Sequence, residues 1–378
     1  MLGPVYYYVI IGGGMAGLQL ALQLSRDVFF KGKKIAIIDP SDKDKNDKTW
    51  CFWEKGAGHW DHIVSSSWEK GLFFSSEAKL ELDLSPYRYK KISAIDFYTE
   101  VKKELSHSPD VIFIKDTITE VDTVKMQAIG EEGNYPATHF FDSRIPADYL
   151  EAKKATKIFQ HFRGWEIETE NEHFQPEVFT MMDYRLKFKN STSFMYVLPE
   201  TSKKALLEFT FFTPFLTEEK IYEEMLENYI SEILKIGDFR ITSTESGVIP
   251  MTDFPFEKKN NRKLTKIGTG GGWVKPSTGY SFKNTEKKTG KIISNIKSGH
   301  IPGKNLVYNR FRRYDAFFLD VLARHNQKGE AIFTKFYQAN SIEMIFRYLD
   351  EETSFSEDIK VMLSLFGYEF IEAFFRKL

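Results

Sequence analysis

The segment from residue 6 to residue 24, YYYVIIGGGMAGLQLALQL, constrains the fold of this chain more than any other. Its first six residues are apolar and predict a buried strand, and Gly12, Gly14 and Gly17 follow on the G-x-G-x-x-G spacing. In a strand–turn–helix unit the first glycine permits the tight turn, the second lets a pyrophosphate approach the backbone, and the third lets the helix pack on the strand. The N-terminus of that helix then points at the phosphates. The candidate cofactor-binding residues here are Gly12, Gly14, Ala16 and Gly17.

A second predicted strand, residues 34–38, completes a βαβ unit that ends on Asp39. This acid lies about 20 residues after the glycines, where a carboxylate accepts hydrogen bonds from a ribose 2′-hydroxyl. An acid at this point disfavours a 2′-phosphate, so FAD or NAD is favoured over NADP. The strand, glycines, helix, second strand and acid occur in order, which argues against an accidental glycine turn.

Composition and charge exclude several functional classes. The 378 residues include 52 basic and 53 acidic side chains, so no positive field is present to recruit nucleic acid. The single cysteine, Cys51, cannot form an internal disulfide or a cysteine-rich zinc site; it fits a reducing cytoplasm, and we expect it to pack rather than react. The eight histidines lack the H-E-x-x-H pattern, so no metal site is predicted. Aromatic residues make up 15% of the chain, which favours an apolar ligand.

The remaining pattern predicts a mixed α/β protein. An aromatic-rich loop is expected at 46–54 and a hairpin or small sheet at 68–89; helices are expected at 95–105, 217–236 and 283–298, and short strands at 112–124, 138–143 and 264–268. Four alternating runs, HFRGWEIET, DYRLKFKN, SFMYVLPE and ALLEFTFF, predict an antiparallel sheet. The segment 306–378 is helix-rich with many Phe and Tyr beside basic residues. Its aromatics are expected mainly in the core, and an amphipathic helix at a bilayer interface is the alternative.

These elements predict an α/β fold (α+β overall) with a Rossmann-like nucleotide-binding domain that is discontinuous in sequence. We assign residues 1–75, 110–150 and 240–300 to this domain, residues 76–109 and 151–239 to a substrate-binding domain built on the antiparallel sheet, and residues 301–378 to a C-terminal helical region. Outside the opening segment no apolar run approaches the roughly 18 residues of a membrane-spanning helix, so any membrane contact is expected to be peripheral.

Eight segments, in this order over most of the chain, resemble the lycopene cyclases of the bacterial β-cyclase type, which are flavoproteins of the carotenoid pathway. The segments are GGGMAG at 12–17, NDKTWCFWE at 46–54, FDSR at 141–144, QHFRGWEIET at 160–169, MMDYR at 181–185, SFMYVLP at 193–199, GVIPM at 247–251 and GTGGGWVKPSTGYSF at 268–282. The resemblance implies an FAD-binding domain of the aromatic-hydroxylase and geranylgeranyl-reductase type. It also implies a cytoplasmic enzyme that associates peripherally with the inner membrane.

The reaction implied by the resemblance is redox-neutral. An acid protonates the end double bond of a linear carotene, a neighbouring double bond attacks the tertiary cation, and loss of a proton closes a six-membered β-ring. Lycopene thus becomes γ-carotene and then β-carotene. On this hypothesis reduced FAD is the active form, because its negative charge stabilises the cation where water is excluded, and NAD(P)H is a candidate reductant.

The acidic motif Phe-Leu-Glu-Glu-Thr of plant members resembles LLEFT at residues 206–210, in which Glu208 matches the first acid. An alkene is a poor base, so its acid must be protonated, dry and aimed at one carbon. The apolar neighbours Leu206, Leu207, Phe209 and Phe211 are expected to raise the carboxyl pKa. We therefore predict Glu208 as the general acid, against the alternative of a solvated glutamate on an outer strand face. Phe209 replaces the second acid, so the two-acid motif is incomplete on this strand.

Other candidates surround this motif. Asp183 in MMDYR and Glu54 beside TWCFW are predicted to orient groups or accept a proton, with a structural role an equal alternative for each. Trp50, Phe52 and Trp53 are predicted to offer ring faces to a carbocation, an interaction of about 1 to 2 kcal/mol when desolvated, with core packing as the competitor.

The late glycine-rich segment departs from related flavoproteins, because Gly268-Thr269 stands where many carry Gly-Asp. The resemblance still places backbone amides of this segment near the flavin; the candidate cofactor-binding residues are Gly270, Gly271, Gly272, Pro276, Ser277, Thr278 and Gly279. No second complete nucleotide fingerprint follows, so a dedicated NADPH domain is not evident. Two alternatives to the cyclase stay open: a redox flavoenzyme, either monooxygenase or isoprenoid reductase, and a non-catalytic carotenoid carrier.

Overall fold

The structure, a computed structural model, describes residues 6–377, so the outermost limits of the predicted domains, residues 1–5 and 378, lie outside the described residues. Its strands, in chain order, are β1 Tyr6–Ile11, β2 Ile35–Asp39, β3 Thr49–Lys55, β4 Ser66–Trp68, β5 Lys70–Phe74, β6 Lys79–Asp83, β7 Tyr87–Ser93, β8 Val111–Lys115, β9 Ile118–Asp122, β10 Gln127–Gly130, β11 Asn134–Asp142, β12 Lys157–Glu168, β13 Val178–Asp183, β14 Ser193–Pro199, β15 Lys204–Thr213, β16 Arg240–Thr252 and β17 Leu264–Lys266.

The α-helices follow the predicted apolar spacing and divide into two groups, one among the strands and one after them. They are α1 Met15–Arg26, α2 Ala94–Leu105, α3 Asp148–Glu151, α4 Glu219–Asn228, α5 Phe282–Lys297, α6 Asn309–Arg324, α7 Gly329–Ala339, α8 Ile342–Leu349, α9 Phe355–Ser364 and α10 Tyr368–Lys377. A π-helical turn, Tyr229–Ile233, extends α4. The helices predicted at 95–105, 217–236 and 283–298, and the helix-rich C-terminal segment, are confirmed.

The first sheet has seven strands. Six follow the order β8-β2-β1-β11-β10-β9, and the seventh, β17, pairs with the C-terminal end of β11. Strands β8, β2, β1, β11 and β17 run parallel, while β9 and β10 form antiparallel pairs at one edge. Helices α1, α2 and α5 cover one face, where Leu18, Val101 and Ile292 share a core. This arrangement confirms the predicted Rossmann-like α/β class.

The second sheet also has seven strands, in the order β16-β12-β15-β14-β13-β5-β6, and only the β13–β5 pair is parallel. Strand side chains alternate between faces. On β15, Leu207, Phe209 and Phe211 therefore pack against Tyr222 and Met225 of α4. The residues between them face the opposite side, which helices α6 to α10 enclose together with the small sheet β3-β7-β4.

Three local expectations were wrong. Residues 49–55, within the expected loop, form β3, because pairing with β7 satisfies their backbone groups. Only the first residue of DYRLKFKN lies in a strand: Asp183 ends β13, and its Oδ1 accepts a hydrogen bond from the Arg185 amide 3.0 Å away, which starts a turn. Strand β16 was missed, because its first half is polar and exposed at the sheet edge and shows no clear apolar alternation.

The predicted domain segments distribute over the two large sheets as follows. Most of 1–75, 110–150 and 240–300 builds the first sheet and its helices, but β5 and β16 pair within the second sheet. The segment 76–109 divides, because β6 pairs with β5 while α2 packs on α1. The C-terminal region, residues 301–377, packs its first helices against the second sheet, with Phe333 and Phe346 in the shared core.

Candidate active site

A cavity of about 660 Å³ runs between the two large sheets. At one end it meets the N-terminus of α1 and the loop after β17; at the other it reaches the inner face of β14, β15, β12 and β16. Phe333, Phe336 and Tyr337 of α7 and Leu349 of α8 close the apolar side. The cavity therefore joins a polar, backbone-lined end to an aromatic end.

The polar end is built by the glycine fingerprint. A side chain on Gly17 would come within 2.0 Å of the Gly12 carbonyl oxygen, so glycine is required for the close packing of α1 on β1. Gly14 caps α1 in extended backbone geometry without a side-chain hydrogen bond, and a Cβ there would meet no atom within 4 Å. The first amides of α1 therefore remain available to an anion. Asp39 lies beside them, since its Oδ2 accepts a hydrogen bond from the Gly13 amide at 2.7 Å.

The late glycine-rich loop contributes fewer of its predicted residues than expected. Gly268, Thr269, Thr278 and Gly279 line the cavity. Gly270, Gly271 and Gly272 instead lie against the protein: a Cβ on each would collide with the carbonyl oxygens of Arg144 and Lys266 or with the ring of Phe256. Pro276 lines a smaller pocket behind the loop, and the Ser277 side chain is buried.

Within residues 6–377, three buried polar atoms on the cavity wall have no hydrogen-bond partner in the protein. They are Gln160 Oε1, Thr278 Oγ1 and Thr285 Oγ1. Buried polar groups in native proteins are almost always paired, so these atoms call for a polar ligand or water. Together with the open helix N-terminus and Asp39, they fit a bound dinucleotide.

The aromatic end holds a row of directly opposed residues on four neighbouring strands. Tyr196 on β14 faces Glu208 on β15, Glu208 faces Gly164 on β12, and Gly164 faces Glu245 on β16. Residues in register on adjacent strands share a face. Tyr196, Glu208 and Glu245 all line the cavity.

Glu208 is 9% exposed, and its only side-chain hydrogen bond in the structure comes from Thr210 Oγ1, 2.6 Å from Oε1. Burial, followed by the charge of nearby Glu245, raises the pKa of Glu208 to about 8. The carboxyl is therefore protonated at neutral pH, as an acid for an alkene must be.

Glu245 was not identified from the sequence. It is half-buried, and Thr49 Oγ1 donates a hydrogen bond to its Oε2 at 2.8 Å. Burial raises the pKa of Glu245, while the Thr49 hydrogen bond and the Lys91 charge oppose that rise. The available signal was its position two residues before GVIPM, on the same face of β16 as Gly247 and Ile249, which also line the cavity.

The apolar setting of Glu208 differs from the one predicted. Leu207, Phe209 and Phe211 face α4 and cannot desolvate the carboxyl, because adjacent strand residues point to opposite faces. Leu206 and Phe212 of β15, with Phe194 and Leu198 of β14, line the cavity instead. A second acid at position 209 would likewise have pointed away from Glu208.

The sequence of this chain is similar to that of one known protein family. A sequence model of the family described as "Lycopene cyclase protein" matches residues 8–374. The chain belongs to the lycopene cyclase family. Family membership indicates an enzyme of carotenoid cyclisation. No curated protein matches the chain at a significant level.

Solved structures share the fold of this lycopene cyclase family member at low sequence identity. The flavin-dependent brominase Bmp2 has a TM-score of 0.66 and 14% identity over 99% of this chain and 100% of its own. A geranylgeranyl bacteriochlorophyll reductase-like protein from Thermoplasma acidophilum has a TM-score of 0.63 and 11% identity over 98% and 99%. The halogenase PltM with phloroglucinol and FAD has a TM-score of 0.61 and 11% identity over 97% and 89%. The fold is thus one used by flavin-dependent enzymes.

The other predicted acids of this family member are engaged in ion pairs away from the cavity lining. Asp183 is fully buried and accepts hydrogen bonds from the Arg185 guanidinium at 3.0 Å and from the Tyr229 hydroxyl at 2.7 Å. Glu54 pairs with Lys283 at 2.7 Å and Lys90 at 3.0 Å. The geometry favours the structural interpretation of both.

Of the three predicted aromatic residues on β3, one lines the cavity and two pack in the core. Trp50 lines the cavity. Phe52 stacks on Phe282 with ring centroids 4.6 Å apart, and Trp53 stacks on Phe346 at 4.4 Å, so both belong to the core. Cys51, which was expected to pack rather than react, packs against the core and also contributes to the cavity wall.

A hydrogen-bonded chain of three phenols adjoins Glu208; Tyr89 is fully buried, and Tyr196 and Tyr280 are half-buried. The Tyr196 hydroxyl donates to Tyr89 at 2.5 Å, and the Tyr89 and Tyr280 hydroxyls are 2.7 Å apart. Burial raises the pKa of each phenol well above its usual range and that of the Cys51 thiol to about 12. These groups therefore stay neutral and add no charge beside the carboxyls.

Proposed function

We propose that this protein is a lycopene β-cyclase that converts lycopene to γ-carotene and then to β-carotene. The observation that carries the proposal is the buried carboxyl of Glu208, whose pKa is raised by burial, in an aromatic cavity that continues to the glycine-lined end. A monooxygenase of the same fold has no need of such an acid, whereas an alkene reductase would also need a proton donor and is separated by the mass of its product. Family membership supports the carotenoid substrate class.

The chain's own residues account for the proton chemistry. The O–H bond of Glu208 breaks as its proton joins the end double bond of lycopene, and the resulting tertiary cation is attacked by the neighbouring double bond. Loss of a ring proton then forms the β-ring double bond, so no oxidant or reductant is consumed. The apolar wall formed by Phe194, Phe212 and Leu206 excludes water, which would otherwise trap the cation as an alcohol.

We further propose FAD as the cofactor. The first amides of α1 at Met15 and Ala16 would bind its pyrophosphate, and Asp39 would accept a hydrogen bond from its ribose. Reduced FAD supplies a negative charge beside the cavity that stabilises the cation. The proposal includes NAD(P)H as an external reductant and predicts that turnover with flavin held oxidised fails.

Expression in a lycopene-accumulating bacterium tests the function. We expect the pigment to become β-carotene, which has the same mass as lycopene, as shown by chromatography and mass spectrometry. Unchanged lycopene would contradict the cyclase proposal. A gain of oxygen would favour a monooxygenase, and a gain of hydrogen would favour a reductase.

Substitution of Gly14 by alanine tests the cofactor site. Because a Cβ at this position meets no protein atom within 4 Å, the variant should fold normally. The methyl group would occupy the space that the pyrophosphate needs, so we expect FAD affinity to fall at least about tenfold, or about 1.4 kcal/mol. Fluorescence titration of FAD measures this effect.

Gly237→Ala is the matched control, because its Cβ also meets no atom within 4 Å and residue 237 does not line the cavity. It should bind FAD as the wild type does. Equal affinities for the Gly14 and Gly237 variants would show that the phosphates bind elsewhere.

For the source of this hydrocarbon substrate we propose peripheral contact with the cytoplasmic face of the inner membrane. Across residues 6–377, no helix is both long and apolar enough to cross a bilayer. Large apolar side chains are nevertheless exposed on α9, on α10 and on the turn between them; they are Phe355, Ile359, Leu363, Phe366, Tyr368, Ile371, Phe374 and Phe375. A concentration of exposed apolar side chains on two consecutive helices suits a bilayer interface.

Vesicle flotation tests this contact. The triple variant Leu363→Ser, Phe366→Ser and Phe375→Ser should reduce binding to phosphatidylglycerol-containing vesicles at least about tenfold, because each serine removes apolar area from the lipid contact. A control triple, Val28→Ser, Val124→Ser and Leu150→Ser, changes residues that are at least as exposed but lie elsewhere. Equal binding of the two variants would exclude α9 and α10 as the contact.

A further inference from the structure

The two cavity carboxyls are separated by a single glycine. Glu208 and Glu245 both pair in register with Gly164, one from each neighbouring strand. Strands two apart in a sheet are about 10 Å from each other, so two glutamate side chains can reach toward the same small group from opposite sides. A Cβ on Gly164 would come within 3.1 Å of Glu245 Cγ and of Leu206 Cδ1. The glycine therefore keeps the space between the carboxyls open.

The two carboxyls differ in the polar and charged groups around them. Glu208 is surrounded by apolar residues and Thr210, with no ion pair in the structure. Glu245 receives the Thr49 hydrogen bond and lies near the positive charge of Lys91. Burial raises the pKa of both carboxyls, but the hydrogen bond and the positive charge make Glu245 the readier of the two to ionise and leave Glu208 as the proton donor.

We propose that Glu245 is the second catalytic carboxyl of this site and accepts the proton released when the ring closes. The inference rests on the proposed cyclase function. In the final step a C–H bond of the ring cation breaks, its electron pair becomes the ring double bond, and the proton joins the Glu245 carboxylate. Each cyclisation thus moves one proton from Glu208 to Glu245, and return of that proton across the Gly164 gap restores both groups.

Other charged or titratable groups near the pair are consistent with these roles. They are Lys48, Cys51, Lys91, Glu166, Tyr196 and Tyr280. The charges of the two lysines lower the pKa of Glu245, and each lysine also pairs with another acid, Lys91 with Glu200 and Lys48 with Asp47. Glu166 is neutralised by Lys204, 2.9 Å away.

A titration that needs no catalysis tests the pairing. In infrared spectra, the protonated-carboxyl band that disappears in Glu208→Gln belongs to Glu208. Its midpoint pH should be lower in Glu245→Gln than in the wild type, because a neighbouring negative charge has been removed. Glu168→Gln, on the same strand as Gly164 but exposed and paired with Arg240, should leave the midpoint unchanged. An unchanged midpoint in Glu245→Gln would overturn the pairing even if the wild type cyclises lycopene.

Catalysis in D₂O tests the proton-accepting role. Glu245→Gln should cyclise at least about 100-fold more slowly than the wild type. Protonation by Glu208 should continue and reverse, so the recovered lycopene should gain deuterium at its ends, and Glu245→Asp should restore part of the activity. Cyclisation within about threefold of the Glu168→Gln control would overturn the proposal. Failure of the wild type to cyclise would instead contradict the proposed function, and the infrared titration would still decide the pairing.

Thr49→Val provides a second variant should Glu245→Gln not fold. Loss of its hydrogen bond raises the pKa of Glu245, so the acidic limb of the pH–rate profile should move to higher pH. Thr49→Ser should restore the wild-type profile. An acidic limb that does not move in Thr49→Val would overturn the role of Glu245 as base.

Discussion

Replacing Glu208 by glutamine should reduce the rate of lycopene cyclisation by about 10² to 10⁴-fold, the usual contribution of a general acid. The amide has nearly the same shape as the carboxyl but cannot protonate an alkene. FAD binding should be unchanged, because Glu208 lies at the aromatic end of the cavity, away from the α1 terminus. Conversion of lycopene in vesicles with reduced flavin, measured as initial rates, gives the effect.

Glu168→Gln is the matched control, since it makes the same chemical change at an exposed position on the neighbouring strand β12. We expect its rate to equal that of the wild type. A Glu208→Gln rate within tenfold of this control would assign the proton donor to another group. If the protein were a carotenoid carrier, neither the wild type nor the variants would convert lycopene.

The same substitution should change stability in a pH-dependent way. Because the folded-state pKa of Glu208 is raised to about 8, this group contributes stability that is fully present below its unfolded pKa and is lost as the pH rises through about 8. Above that pH the wild type carries a buried carboxylate and Glu208→Gln does not. We therefore expect the Tm of the variant, relative to the wild type, to be higher at pH 9 than at pH 5, as measured by calorimetry. An equal Tm difference at both pH values would place the Glu208 pKa near its usual range.

The features predicted well from the sequence are those set by short stretches of chain. The fingerprint around Gly12 and the helices on either side follow from local spacing, and the structure confirms the fold class they indicate. Glu208 stood out through its motif at residues 206–210. In each case the deciding neighbours lie within a few residues along the chain.

The features that escaped prediction depend on pairing between distant strands. Glu245 becomes a neighbour of Glu208 only because β16 and β15 both pair with β12, with Gly164 between them. The direction of Phe209 was missed for a related reason: an apolar neighbour in sequence points to the opposite face of a strand. The apolar residues beside the carboxyl are instead Leu206 and Phe212 on its own strand and face, together with Phe194 and Leu198 of β14.

Replacing Lys275 by methionine should lower the free energy of unfolding by about 3–5 kcal/mol, because it leaves two buried acids without their partner. Lys275 is 2% exposed, and its Nζ lies 2.9 Å from Asp315 and 3.1 Å from Glu351. Burial acts to lower the pKa of this lysine, but the two acids raise it overall, so the side chain is charged. Urea unfolding monitored by circular dichroism measures the loss.

Lys55→Met is the control for this effect. Its pair with Glu343 is about half exposed on both sides, so its loss should cost less than about 1 kcal/mol. A similarly small loss for Lys275→Met would show that water or other groups compensate the two acids. Adding Asp315→Asn to Lys275→Met should recover part of the stability, because one uncompensated charge is removed.

Since Thr278 and Gly279 follow Lys275 and line the cavity, FAD affinity should fall and recover together with stability. This coupling would show that the C-terminal helices hold the cofactor loop in place.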